Sequence, residues 1–183
     1  GTDLVLSSHF HPSGKAETEQ AEIGVYLTEE PPTRRFLELD VPFGFGLLTN
    51  MKIPPGEQEH VIEDSFIFHH DALLSDLFPH AHYLATDIRA EATFPDGTTR
   101  TLLAVSDWDF AWQEHYRFLE PVHIPAGTRV DMTFVYDNTV DNPRNPTNPP
   151  KRVTWGPASD DEMACMTMGV IVDTARDEQA HRK

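Results

Sequence analysis

The sequence predicts an all-β fold, an antiparallel β-sandwich of jelly-roll type. Three observations predict it. Fifteen prolines and ten glycines break the 183 residues at short intervals. The segments between them are short and rich in Val, Ile, Phe, Tyr and Thr, which suit a pleated, half-buried surface. No stretch carries the apolar period of a long amphipathic helix.

In chain order, strands are expected over residues 4–11, 21–27, 35–40, 65–69, 86–94, 100–104, 116–120, 129–136 and 164–172. Pro54-Pro55-Gly56, Pro95-Asp96-Gly97 and Pro125-Ala126-Gly127 are turn signals between them. Pro95-Asp96-Gly97-Thr98 reads as a hairpin turn in which Gly97 takes a positive φ. Residues 71–77 read as a helical turn, as does the polar tail after Asp173. Trp108, Phe110, Trp112, Tyr116 and Phe118 share the parity of one strand face. They read as an aromatic core stripe, with room for a bend near Gln113. Residues 137–161 break the pattern with a run of asparagines and prolines, Asn138 to Pro150. A loop that long in a compact domain frames a site or has no fixed structure.

Length and charge narrow the function classes. A chain of 183 residues can bury a real core. Fourteen basic against 30 acidic residues leave a net charge of −16, which opposes nucleic-acid phosphates and anionic membranes. No apolar run approaches the roughly 20 residues that span a bilayer. Cys165 is the single cysteine, against ten histidines, so an intrachain disulfide and a thiolate zinc cage are both excluded.

Which histidines sit together then becomes the question. In Pro79-His80-Ala81-His82, the two imidazoles lie at i and i+2. On a strand these project from one face, roughly 6–7 Å apart along the chain, and can chelate one metal. A cupin would follow such a pair with a glutamate, then place another histidine after a Pro-x-Gly turn. Here Tyr83 to Asp87 contain no Glu, and Thr128 to Met132 after Gly127 contain no His. The cupin reading loses both remaining ligands. Met163 supplies another donor. It sits at the mouth of a strand after a polar loop, whereas Met166 and Met168 fall on the opposite face and suit the core. A thioether prefers a soft ion, Cu(I) above all, and imidazole accepts both copper oxidation states. His80, His82 and Met163 are therefore a candidate set for a copper ion that cycles.

Pro79-His80-Ala81-His82 together with Asp160-Asp161-Glu162-Met163 ahead of an apolar strand resembles the C-terminal domain of the type II copper, ascorbate-dependent monooxygenases. Peptidylglycine alpha-hydroxylating and dopamine beta-monooxygenases are members of that group. Residues 107–118, 137–155 and Pro54-Pro55-Gly56-Glu57 are similar to its bacterial members. The resemblance spans roughly residues 3–173 of the chain. It implies that His80, His82 and Met163 hold the catalytic copper, that ascorbate supplies electrons, and that a C–H bond of a small-molecule or peptide substrate is hydroxylated. It also implies a periplasmic or secreted location and other domains on a longer chain. Residues 1–30 then look like the last strands of the family's first domain, 31–175 the copper-binding sandwich, and 176–183 a polar tail. His9, in Ser8-His9-Phe10-His11, matches one ligand of the family's second, electron-transferring copper. The adjacent His-His pair completing that site lies upstream in the family and has no match here.

The other histidines read more plainly. His69 and His70 are adjacent, so on a strand they face opposite ways. His11, His60, His115, His123 and His181 read as surface or hydrogen-bonded residues. Cys165 reads as a small buried hydrophobe. Residues 137–157 lead into Met163 and are the expected wall of a substrate site. The rival function is a non-catalytic copper-binding or interaction β-sandwich module of a larger protein.

Overall fold

The computed structural model describes residues 3–6, 8, 10, 13–27, 29–30 and 32–173. The chain forms two units, Gly1–Pro31 and Pro32–Lys183. Among the described residues of the first unit there is no strand. The expected strands at 4–11 and 21–27 are therefore not formed over those residues. Their alternation is present, but no ladder partner accompanies it, and Ile23, Val25 and Leu27 stand exposed.

The second unit is all-β and antiparallel. Its strands are β1 (Arg35–Val41), β2 (Lys52–Ile53), β3 (His60–Ile67), β4 (Ala72–Ala81), β5 (Ala85–Thr93), β6 (Thr99–Val105), β7 (Tyr116–Ile124), β8 (Arg129–Tyr136), β9 (Val153–Thr154) and β10 (Ala164–Val172). One sheet runs in the order β1-β10-β4-β7, a second β3-β8-β5-β6, and β2 pairs with β9. The two four-stranded sheets place their apolar sets inward. Leu37, Leu39 and Val41 meet Val170, Met168 and Met166 in register. Ile88, Ala90 and Ala92 lie beside Phe134, Met132 and Val130 in the other sheet. All twelve are buried, and this apolar burial is the main stabilising term. The β5–β6 hairpin turns as expected, with Gly97 at φ 84° and Phe94 N–H donating to Thr98 O at 2.8 Å.

Two expectations are corrected here. Residues 71–77 are not a helical turn; they open β4. A bulge between Leu74 and Asp76 leaves Ser75 unpaired. Its hydroxyl donates to Gly169 O at 2.9 Å. The extra residue converts the strand's period of two into a Leu74–Leu77 spacing of three, which imitates a helix. The aromatic run 108–118 is not one strand face either. β7 starts only at Tyr116, and residues 106–115 form a loop in which Trp108 is fully buried while Trp112 is 67% exposed.

The Asn/Pro-rich stretch is ordered by one side chain. Asn138 is completely buried, and its amide donates to the carbonyls of Ile53, Pro54 and Lys151 at 3.2, 3.0 and 2.7 Å. Its Oδ1 accepts from Asn145 Nδ2 at 2.9 Å. This fastens the loop to β2 and brings the chain back as β9 before it reaches Met163.

Candidate metal centre

β4 and β10 are the two central strands of their sheet, and the site lies where they end together. Ala81 pairs with Ala164 and His80 with Cys165. Continuing that antiparallel register sets His82 opposite Met163. The register also places His80 on the outer face of the sheet, because Met166 and Met168 hold the inner one.

Glu162 joins the two chain ends. Its side chain is entirely buried, and its carboxylate accepts three backbone N–H groups. Oε1 takes those of His82 and of Met163, the latter at 2.9 Å. Oε2 takes that of Leu84 at 3.0 Å. Burial pushes Glu162 up to about 8, opposed by those three donors. Trp108 adds a second tie, its indole N–H donating to His82 O at 2.9 Å.

The imidazoles are oriented by groups that only accept. His80 Nδ1 lies 2.7 Å from Gln113 Oε1, and His82 Nδ1 lies 3.1 Å from the backbone oxygen of Asp161. A carbonyl oxygen cannot donate, so each Nδ1 carries a proton, and in the neutral ring the lone pair then resides on Nε2. Gln113 is held in turn, its Nε2 donating to Phe110 O at 2.9 Å. The rings form an edge-to-face row. Phe45 and His80 centroids are 5.5 Å apart, His80 and His82 5.2 Å, and His82 and Phe110 5.6 Å. Burial depresses His82, against the pull of the Asp161 carbonyl and charge, and so favours the neutral, ligating form.

Among the described residues no three His, Cys, Asp or Glu side chains gather to hold a metal. A metal held at His80 and His82 would need a further donor, such as a thioether or a group outside those residues. The thioether of half-buried Met163 follows Glu162 directly in the chain. Two imidazoles and one thioether, if they met at one ion, would suit copper better than zinc, which draws carboxylate, thiolate or further imidazole.

His9 lies outside the described residues, as do His11 and His181. His60 Nδ1 is 2.8 Å from Glu57, and His123 is 3.7 Å from Asp71. His69 and His70 occupy the turn between β3 and β4. Cys165 is buried, as expected, and burial pushes its thiol up to about 12.

A cleft of about 750 Å³ lies on the outer face of the sheet and neighbours His80 through Phe45. Phe36, Glu38, Asp40, Phe45, Phe78 and His115 line it, with Thr167. His115 stacks on Phe78 at 4.6 Å between centroids. None of these residues belongs to 137–157, the segment expected to wall a substrate site. That loop acts from behind, through Trp155 Nε1, which donates to Phe45 O at 3.0 Å.

Glu162 could have been singled out in the sequence by its place beside Met163. Gln113, Trp108 and Phe45 carried no such signal. They are 20 to 40 residues from the His pair and reach it only through loop geometry. The chain matches no protein-family model and no curated protein sequence.

Proposed function

We propose that this domain binds one copper ion through His80, His82 and Met163 and serves an ascorbate-dependent monooxygenase activity of the type its motifs resemble. The observation that carries the reading is the paired fixing of Nδ1. Gln113 and the Asp161 carbonyl each hold one imidazole with Nε2 as the donor nitrogen, the arrangement by which proteins prepare histidine for metal. The strand order also favours the jelly-roll form of the sandwich.

Bound copper supplies the one-electron redox and dioxygen chemistry that no amino-acid side chain here can. The chain's own part is distinct. His80 and His82 present Nε2 as the ligating nitrogen of the neutral ring. Met163 favours the reduced ion. Glu162 sets the spacing between the two chain ends, and Phe45 and Phe110 close the flanks of the pair. The cleft beside Phe78 and His115 offers room for a substrate. Ascorbate, an extracytoplasmic location and further domains on a longer chain enter with the resemblance.

Copper stoichiometry tests the reading. The wild type should bind one equivalent, and His80→Ala and Met163→Ala should each lose it or weaken it strongly. Unchanged binding in both variants would sink the site. Ascorbate-driven oxygen uptake by the copper-loaded protein then separates an enzyme from a copper-binding module, which would show none.

A further inference from the structure

Phe45 has a backbone conformation that its side chain makes costly. Its φ of 57° and ψ of 34° are left-handed, a region that bulky L residues avoid. The neighbours in Gly44-Phe45-Gly46 are glycines at φ 62° and 85°, which adopt it without steric cost. The aromatic residue thus occupies the one place in the turn where a third glycine would be easiest.

Three contacts hold it there. Trp155 Nε1 donates to Phe45 O at 3.0 Å. Thr49 Oγ1 donates to Gly46 O at 2.7 Å. Gly46 packs so closely on β10 that an added Cβ would lie 3.2 Å from Ala164 O and 3.3 Å from Ala164 N. Ala164 directly follows Met163, so the turn is seated against the metal-site end of β10. The strained backbone delivers one thing: a phenyl ring edge-on to His80 at 5.5 Å and 84°, with the same residue lining the cleft. Strain held by its surroundings at such a place points to function.

We propose that Phe45 is the partition between the cleft and His80, a specificity-determining wall that limits the size of the group able to reach the histidine pair from the cleft. The size-selection part rests on the copper reading above; the partition itself does not. A broad organic group in the cleft is stopped at Phe45, and only a slim portion passes its edge.

The test has a metal-free arm and a loaded arm. In the metal-free protein, diethyl pyrocarbonate modification is followed by peptide mass mapping in wild type, Phe45→Ala and Phe45→Gly. His80 should react several-fold faster in both variants, while exposed His123 reacts at an unchanged rate. An unchanged His80 rate in both variants overturns the partition. Phe45→Gly should also melt above Phe45→Ala, because both lose the ring and only glycine relieves the backbone. Equal or reversed melting overturns the claim of stored strain. In the Cu(II)-loaded protein, imidazole and phenylimidazole binding are compared by the shift of the copper spectrum. Both variants should gain for phenylimidazole relative to imidazole by several-fold, and an unaltered ratio overturns size selection. Failure to load copper would defeat the site reading instead, and the modification and melting arms would still decide on Phe45.

Discussion

Removing the Glu162 carboxylate tests whether the two halves of the site are built as one unit. In Glu162→Ala, the N–H groups of His82, Leu84 and Met163 lose their acceptor together. The side chain is wholly buried, so water does not simply replace it. An unsatisfied buried donor costs about 1–3 kcal/mol. Three of them, with partial relaxation of the loop, give a loss of about 3 kcal/mol or more. Glu162→Gln keeps one carbonyl oxygen. Placed at Oε1, it still serves His82 and Met163, and only Leu84 meets an amine, so about 1–3 kcal/mol is lost. For a unit of this size each 1 kcal/mol lowers the melting temperature by roughly 2–4 °C. Above pH 8, where Glu162 is ionised, urea and thermal unfolding of the metal-free protein should therefore rank wild type above Gln above Ala, with at least about 6 °C between the ends of the series. Copper affinity should fall in the same order, because the spacing of His82 and Met163 loosens with the clamp. An alanine variant within about 1 kcal/mol of wild type, or one no worse than glutamine, would refute the reasoning.

Gln113→Leu removes the acceptor that fixes the His80 tautomer; copper affinity should drop by about 10–100-fold with little change in unfolding temperature, read by competitive chelator titration. Cys165, buried with its thiol pushed up to about 12, should resist iodoacetamide at pH 8 in the native protein and label fully in urea; rapid native labelling would contradict its packing. Arg144 holds the exposed Asp107 carboxylate below its ordinary 3.8 through a 2.8 Å hydrogen bond. A depressed carboxylate stabilises above the unfolded pKa, and that contribution is lost as pH falls through the folded value. Asp107→Asn should therefore differ slightly from wild type at neutral pH and converge with it in acid, as followed by thermal melts across pH.

The strands were legible where turn residues and alternation agreed. β10 and β8 fall at 164–172 and 129–136, as the sequence implies. Reading failed where a local irregularity disguised the period. Ser75 shifts the β4 pattern by one residue, and the aromatics from Trp108 onward keep their parity through a loop that has no strand geometry. In residues 21–27 the alternation is real, yet a strand also needs a neighbour, and no composition supplies one. The pairing of His80 with His82 follows from spacing alone. The acceptors that fix their tautomers do not, because Gln113 and the Asp161 carbonyl are set by where two loops fold back over the ends of β4 and β10.

That division separates framework from tuning. His80, His82 and Met163 emerge from the two central strands of one sheet, and their relative position is fixed by ladder register and by Glu162, with Trp108 anchoring His82 O. Changes there should cost folding before they alter chemistry. Gln113, Phe110 and Phe45 approach the same imidazoles from outside the ladder, on the 106–115 loop and the Gly44–Gly46 turn. Gln113 and Phe110 reach the sheet through His80 and His82 themselves, and Phe45 is held through Trp155 and Gly46. Substitutions on these three positions leave the strand pairing untouched, while changing tautomer, flank or access. A site assembled in this way can shift its ligand orientation and selectivity by loop substitution alone. The expected sign of this is a set of variants at Gln113 and Phe110 whose copper and small-ligand affinities spread widely while their unfolding free energies stay close to wild type.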